Sequence, residues 1–218
     1  HNNEFLGFGT CAPPNFIPEW LFSYLFFPPL KTKKGQPWMA PYGLRKTEAQ
    51  LIEDGFDVKT VSPMNLKRHL KDAKALGIHT MDPFGLGPAS STLAALFKKE
   101  PYLAKHFHQL LLSPAVKEAK RNGLKIIVGG PGAWQFKYRQ AAQKELGIDC
   151  VVEGEGENVV GKLFTAATEN QELPSHYEVN PGEVPTLDEI PDIREPSING
   201  LLELGRGCCR GCQFCNVT

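Results

Sequence analysis

Four of the chain's six cysteines fall between residues 208 and 215, in Gly205-Arg206-Gly207-Cys208-Cys209-Arg210-Gly211-Cys212-Gln213-Phe214-Cys215. Cys208, Cys212 and Cys215 are spaced Cys-x3-Cys-x2-Cys, with an aromatic residue just before the last. Three thiolates from one short loop can hold three corners of an iron–sulfur cube and leave the fourth iron open to bind and polarise a small molecule. The flanking glycines let a backbone wrap a bulky cluster. A second frame, Cys209, Cys212 and Cys215, reads Cys-x2-Cys-x2-Cys as in bacterial ferredoxins. It needs a fourth cysteine nearby, and none follows before Thr218. A zinc knuckle is the third use of such a thiolate set. Thiols at this density are a ligand set before they are ordinary side chains.

Ahead of this loop, short apolar runs alternate with helical patterns. Phe5–Thr10, Phe56–Val61, Gly77–Met81, Leu124–Val128 and Ile148–Val152 read as strands. The helical segments are Pro41–Asp54, Asn65–Ala73, Leu93–Lys98, Tyr102–Leu112, Ser113–Gly123, Gln135–Leu146 and Asn158–Thr168. Leu44, Leu51 and Ile52 share a face of the first of these. Ile17–Phe27 reads as a short buried helix and Lys31–Pro37 as an exposed loop. The alternation predicts an α/β fold, a doubly wound five-stranded parallel sheet of the Rossmann-like or flavodoxin-like kind, with right-handed crossovers. A strand order of 2-1-3-4-5 puts a ligand crevice at the carboxyl ends of strands one and three. Three glycine-bearing turns open on that edge: Asp82–Thr92, Gly129–Trp134 and Glu153–Glu157. The hydroxyls of Ser90 and Ser91 precede the helix at Leu93, where they can cap it or hold phosphate. Glu172–Ser197, with five prolines and no period, reads as a linker, and Ile198–Leu204 as a sixth strand entering the cysteine loop.

The cysteine loop resembles the signature of the radical S-adenosylmethionine enzymes, with Phe214 at the family's usual aromatic. Cys209 departs from it, since the family often has proline after the first cysteine. The resemblance implies a 4Fe-4S cluster on Cys208, Cys212 and Cys215. It also implies S-adenosylmethionine on the unique iron and its reductive cleavage to a deoxyadenosyl radical. A doubly wound domain before such a loop resembles the cobalamin-binding members of that family. The pieces that match are Pro41-Tyr42-Gly43-Leu44, Gly129-Gly130-Pro131 and Gly154-Glu155-Gly156-Glu157. That second resemblance implies a corrinoid on the strand ends, bound by Thr10, Ser90, Ser91, Gly129, Gly130, Pro131, Gly154 and Gly156. It divides the chain into a cobalamin-binding-like Rossmann domain (1–170), a linker (171–197) and the start of a radical domain (198–218). On this reading the chain is the front part of a larger enzyme, inactive alone, whose leading reaction is methyl transfer to an unactivated carbon. A corrinoid- or nucleotide-binding module without catalysis is the alternative, as is a sheet domain that binds no corrinoid.

The Asp-x-His-x-x-Gly motif that supplies a histidine to cobalt is absent, and His69 and His79 read as surface or core residues. Glu153, Glu155 and Glu157 read as acids capping the following helix. There is no Ser-His-Asp arrangement with local support and no Gly-x4-Gly-Lys loop. Twenty-four basic residues balance 24 acidic ones, so charge gives no reason to expect nucleic acid or an acidic membrane as partner. Trp20–Leu30 is the most apolar stretch, but Pro28 and Pro29 break it and it has no basic flank, so it is neither a span nor a signal peptide. Cys11 and Cys150, remote from the others in sequence, fit a reducing, cytoplasmic setting.

Overall fold

The computed structural model describes residues 8–13, 18–26, 28–201, 203–205 and 210. Two residue pairs, β1 (Thr32–Lys33) and β2 (Gln36–Pro37), exposed except for the half-buried Pro37, make a hairpin in the stretch expected to be a loop. The sheet proper has four parallel strands, β3 (Ala75–His79), β4 (Lys125–Gly129), β5 (Cys150–Glu153) and β6 (His176–Glu178), in that spatial order. The helices are α1 (Glu19–Phe26), α2 (Tyr42–Glu53), α3 (Leu66–His69), α4 (Pro88–Phe97), α5 (Tyr102–Leu111), α6 (Pro114–Arg121), α7 (Gln140–Glu145) and α8 (Glu157–Thr168). No helix among the described residues is long and apolar enough to cross a membrane.

The central strands are apolar on both sides because both sides are covered. Ile126, Val128 and Val151 face one core with Phe107, Leu111, Val116 and Phe136. Ile127, Cys150 and Val152 face the other with Val159, Leu163 and Ala167 of α8. Residues 104, 107 and 111 of α5 recur at helical spacing and are buried, which fixes that helix against β4. Ser113 caps α6, its Oγ accepting from Val116 N at 3.4 Å, with Pro114 in the first turn and Gly123 at φ +97° after its end. Cys150 belongs to this core, and burial, with Asp149 beside it, pushes its thiol up to about 12. It is a packing residue, protonated at neutral pH.

The sheet is the expected mixed α/β architecture, compatible with a Rossmann-like fold, but it has four strands, not five. The predicted third, fourth and fifth strands are β3, β4 and β5. Of the predicted first strand, residues 8–10 fall in a 3-10 turn, Phe8–Cys11, and the rest lie outside the described residues. Phe56–Val61, the predicted second, pairs with no strand among the described residues. Its Thr60 N donates instead to the Glu48 carboxylate, and Phe56 packs edge-on against Phe164. The order 2-1-3-4-5 is therefore replaced by β3-β4-β5-β6. The fourth strand comes from the predicted linker, and the predicted sixth strand is a 3-10 turn, Ile198–Gly200.

Three helix boundaries also move. The α4 helix starts at Pro88 rather than Leu93. The segment 135–146 splits at Arg139 into a 3-10 turn, Ala133–Tyr138, and α7. Residues 65–73 shorten to α3. The α1 helix is not buried. Among its described side chains Trp20, Tyr24 and Leu25 are exposed and Phe22 alone is buried, against the Tyr102 ring at 5.1 Å.

The segment 172–197 is pinned rather than loose. Tyr177 and Lys162 both hydrogen-bond Glu183, at 2.5 and 2.7 Å, and Lys162 also reaches the Tyr177 hydroxyl. Asn180 N donates to the same carboxylate at 3.1 Å. Lys162 first, then Tyr177 and Asn180, hold the Glu183 carboxyl at about 2. A depressed carboxylate stabilises the folded state above its ordinary value, near ~4.3, and that contribution is lost as pH falls toward the folded value. Titrating the Glu183 carboxyl by NMR is expected to give a midpoint near 2 in the wild type. In Lys162→Met it is expected to move up toward the ordinary range. An ordinary midpoint in the wild type would mean that the Lys162–Tyr177–Glu183 cluster does not form.

Candidate functional site at the carboxyl edge of the sheet

The turns after β3, β4 and β5 meet on one edge, as the sequence predicts. The turn after β3 is built around Asp82, which is buried. One carboxylate oxygen accepts from Gln135 Nε2 at 2.6 Å and from Gly87 N at 3.2 Å. Gln135 Oε1 accepts in turn from Phe84 N at 3.0 Å. Gln135 thus ties the turn after β3 to the turn after β4. Neither residue stands out in the sequence, since a lone Asp-Pro and a Gln among aromatics carry no motif.

This turn delivers Ser90 to the first turn of α4. Its hydroxyl is fully buried and has no hydrogen-bond partner. A buried hydroxyl left unpaired costs roughly 1–3 kcal/mol, so Ser90 holds an unspent donor and acceptor on the edge where a ligand is expected. Ser91 differs. It is exposed, and its Oγ donates to Pro88 O at 3.2 Å. Because the helix begins at Pro88, after a Gly87 cap, neither serine caps it through its side chain. Thr10 lies half-buried in the first 3-10 turn, whose neighbour Ala12 accepts from Tyr102 N at 3.2 Å.

The glycines are committed to the protein's own packing. Gly129 ends β4, and its carbonyl accepts from Thr80 N at 2.8 Å. Gly130 has φ +100°, and a methyl group there would meet Thr80 O at 2.8 Å. Pro131 is exposed. At Gly132 the methyl would meet Met81 O at 2.5 Å. Gly154, at φ +107°, faces Val179 just past β6, and Gly156 precedes α8. The turns after β3 and β4 approach each other backbone to backbone, and that approach requires glycine whatever else the edge binds.

His79, the last residue of β3, fills the space left by Gly43 and Gly130. A methyl at Gly43 would lie 2.7 Å from its Nε2, and one at Gly130 would lie 2.9 Å from its Cδ2. Burial lowers its pKa, so the ring is neutral at pH 7. The first turn of α2 therefore sits against the carboxyl end of β3. His69 is elsewhere, on the surface, with its Nε2 3.1 Å from Lys34 O.

Glu153 does not cap α8. It pairs with Lys137 at 2.9 Å and His176 at 3.1 Å, while Glu157 is the first residue of that helix and is buried. Cys208, Cys209, Cys212 and Cys215 lie outside the described residues.

Compared with known proteins, the chain matches no family model, no curated relative and no solved structure.

Proposed function

We propose that the chain is the amino-terminal part of a cobalamin-dependent radical S-adenosylmethionine enzyme. Cys208, Cys212 and Cys215 would hold a 4Fe-4S cluster and, through its open iron, S-adenosylmethionine. The observation that carries this reading is the Cys-x3-Cys-x2-Cys spacing with Phe214 before the last ligand. The donor set suits the group, because three thiolates satisfy three irons and leave one coordination corner for a ligand. When bound, the cluster supplies the electron that cleaves S-adenosylmethionine to a deoxyadenosyl radical, and methyl transfer to an unactivated carbon is the leading use of it.

The sheet domain is proposed to carry the corrinoid along its carboxyl edge. Support comes from the four-stranded parallel sheet with three turns on that edge, and from the unspent hydroxyl of Ser90. Ser90, with Thr10, is assigned to hold polar groups of that cofactor. Gly129, Gly130, Pro131, Gly154 and Gly156 shape the edge through their backbone. No histidine of the chain is assigned to the metal.

Anaerobic reconstitution with iron and sulfide, beside a titration with hydroxocobalamin, tests both parts. The cluster reading expects brown protein with about four irons per chain. Colourless protein that retains zinc would replace it with a structural metal site. The corrinoid reading expects a shift of the hydroxocobalamin spectrum that weakens in Ser90→Ala. An unchanged spectrum would remove the corrinoid and leave the cluster.

A further inference from the structure

The α2 helix buries charged side chains as well as Leu51. Arg45, Lys46 and Glu48 are each no more than 9% exposed. Taking such groups out of water is costly unless every one is paired, and each here is paired with something specific. Arg45 Nη1 meets Glu48 Oε2 at 2.5 Å, its Nη2 donates to Pro37 O at 3.2 Å and its Nε to Pro196 O at 3.3 Å. Lys46 Nζ donates to Pro191 O at 2.8 Å, with the Tyr42 ring beneath it. Just before the helix, Ala40 N donates to Pro196 O at 3.2 Å and Ala40 O accepts from Ile198 N at 2.9 Å. Ser197 between them is buried, and its Oγ donates to Leu201 O at 2.9 Å.

We propose that this charged face of α2 is a docking clamp for residues 191–198, and that Arg45 and Lys46 are positioning residues that fix where the cysteine-bearing segment leaves the sheet domain. The clamp sits on the functional edge, because the same first turn of α2 packs its Gly43 on His79 at the carboxyl end of β3. Covalent reach sets the size of the effect. Seven Cα steps separate Leu201 from Cys208, so a clamped chain keeps the first cysteine within about 25 Å of Leu201. A chain released from α2 but still held through β6 and Glu183 could carry it about 90 Å from Glu183. Clamping therefore raises the effective concentration of the cysteine loop at the strand ends. That consequence for catalysis rests on the proposed function; the clamp itself does not.

Residue-resolved hydrogen exchange on the full chain tests it. In Lys46→Met and in Arg45→Ala, the amides of Ala40 and Ile198 are expected to exchange at least about tenfold faster than in the wild type, while those of Ile126–Val128 hold. Arg45→Lys keeps a charge for Glu48 but lacks the planar fork that reaches two carbonyls, so the fast exchange is expected to persist there. Full protection in Arg45→Lys would overturn the role given to the guanidinium. Wild-type protection in both Lys46→Met and Arg45→Ala would overturn the clamp. If Arg45→Ala loosens β4 as well, Lys46→Met decides alone, because it strands no carboxylate. Iron content is expected to be equal in all these variants, since every proposed ligand lies within the loop. Failure of iron to load on the wild type would sink the proposed function and leave the exchange result standing.

Discussion

Cys212→Ala, reconstituted anaerobically, is expected to lose nearly all of its iron, a fall of more than about tenfold from the roughly four per chain that a full cluster holds. Cys212 is common to both cysteine frames, so its loss leaves two thiolates under either. The frames separate at their first member. With Cys-x3-Cys-x2-Cys as the ligand set, Cys208→Ala loses iron as completely as Cys212→Ala, and Cys209→Ala keeps it. The ferredoxin-like frame expects the reverse. The two frames begin at different cysteines, so one of the two substitutions should be nearly silent. S-adenosylmethionine adds a second readout. Binding at an open iron changes the EPR spectrum of the reduced cluster, and that change is expected to survive in Cys209→Ala. Full iron occupancy in Cys212→Ala would defeat the metal assignment in every form considered.

How much of this arrangement the sequence shows depends on how far away the deciding partners are. The β4 strand is legible because Lys125-Ile126-Ile127-Val128-Gly129 is apolar without alternation, as a strand covered on both faces must be. The α6 helix is legible because its start and stop are written locally, in Ser113-Pro114 and Gly123. β6 is not, because three residues amid prolines become a strand only through backbone pairing with β5. Nor is the buried face of α2. Arg45 is inside because a carbonyl 151 positions later in the chain accepts from it, and no local pattern contains that carbonyl. The candidate site divides the same way. The positions of the glycine turns can be read from the sequence, but not the reason for glycine, which lies in a backbone across the edge. Ser90 and Ser91 look alike in sequence; the helix start at Pro88 buries one and exposes the other.

That distinction makes Gly130→Ala a strongly damaging methyl, because it joins a left-handed backbone to a collision. Its φ of +100° is outside what an L-residue adopts freely, a strain of roughly 1–3 kcal/mol. Beyond that, the new Cβ would stand 2.8 Å from Thr80 O and 3.0 Å from Thr80 N. Those backbone atoms have little room to retreat, because Thr80 N donates to Gly129 O at 2.8 Å and Thr80 O accepts from Gly132 N at 3.0 Å. Overpacking of this kind adds roughly another 1–3 kcal/mol. A loss of about 3 kcal/mol, toward the lower end of the summed range of roughly 2–6, is expected in cofactor-free protein. At 2–4 °C per kcal/mol for a domain of this size, the Tm falls by roughly 6–12 °C. Two other glycines isolate the terms. Gly123 has φ +97° with open space around it, so Gly123→Ala carries the strain without the collision. Gly182 has open space and no positive φ, so Gly182→Ala is expected to be neutral or slightly stabilising. Thermal unfolding of the three variants without any added cofactor should rank them Gly130, Gly123, Gly182 from worst to mildest. A Gly130→Ala protein that melts no lower than Gly123→Ala would mean that the turns after β3 and β4 are not in contact. The edge would then have room at Gly130 for a ligand that the present packing denies it.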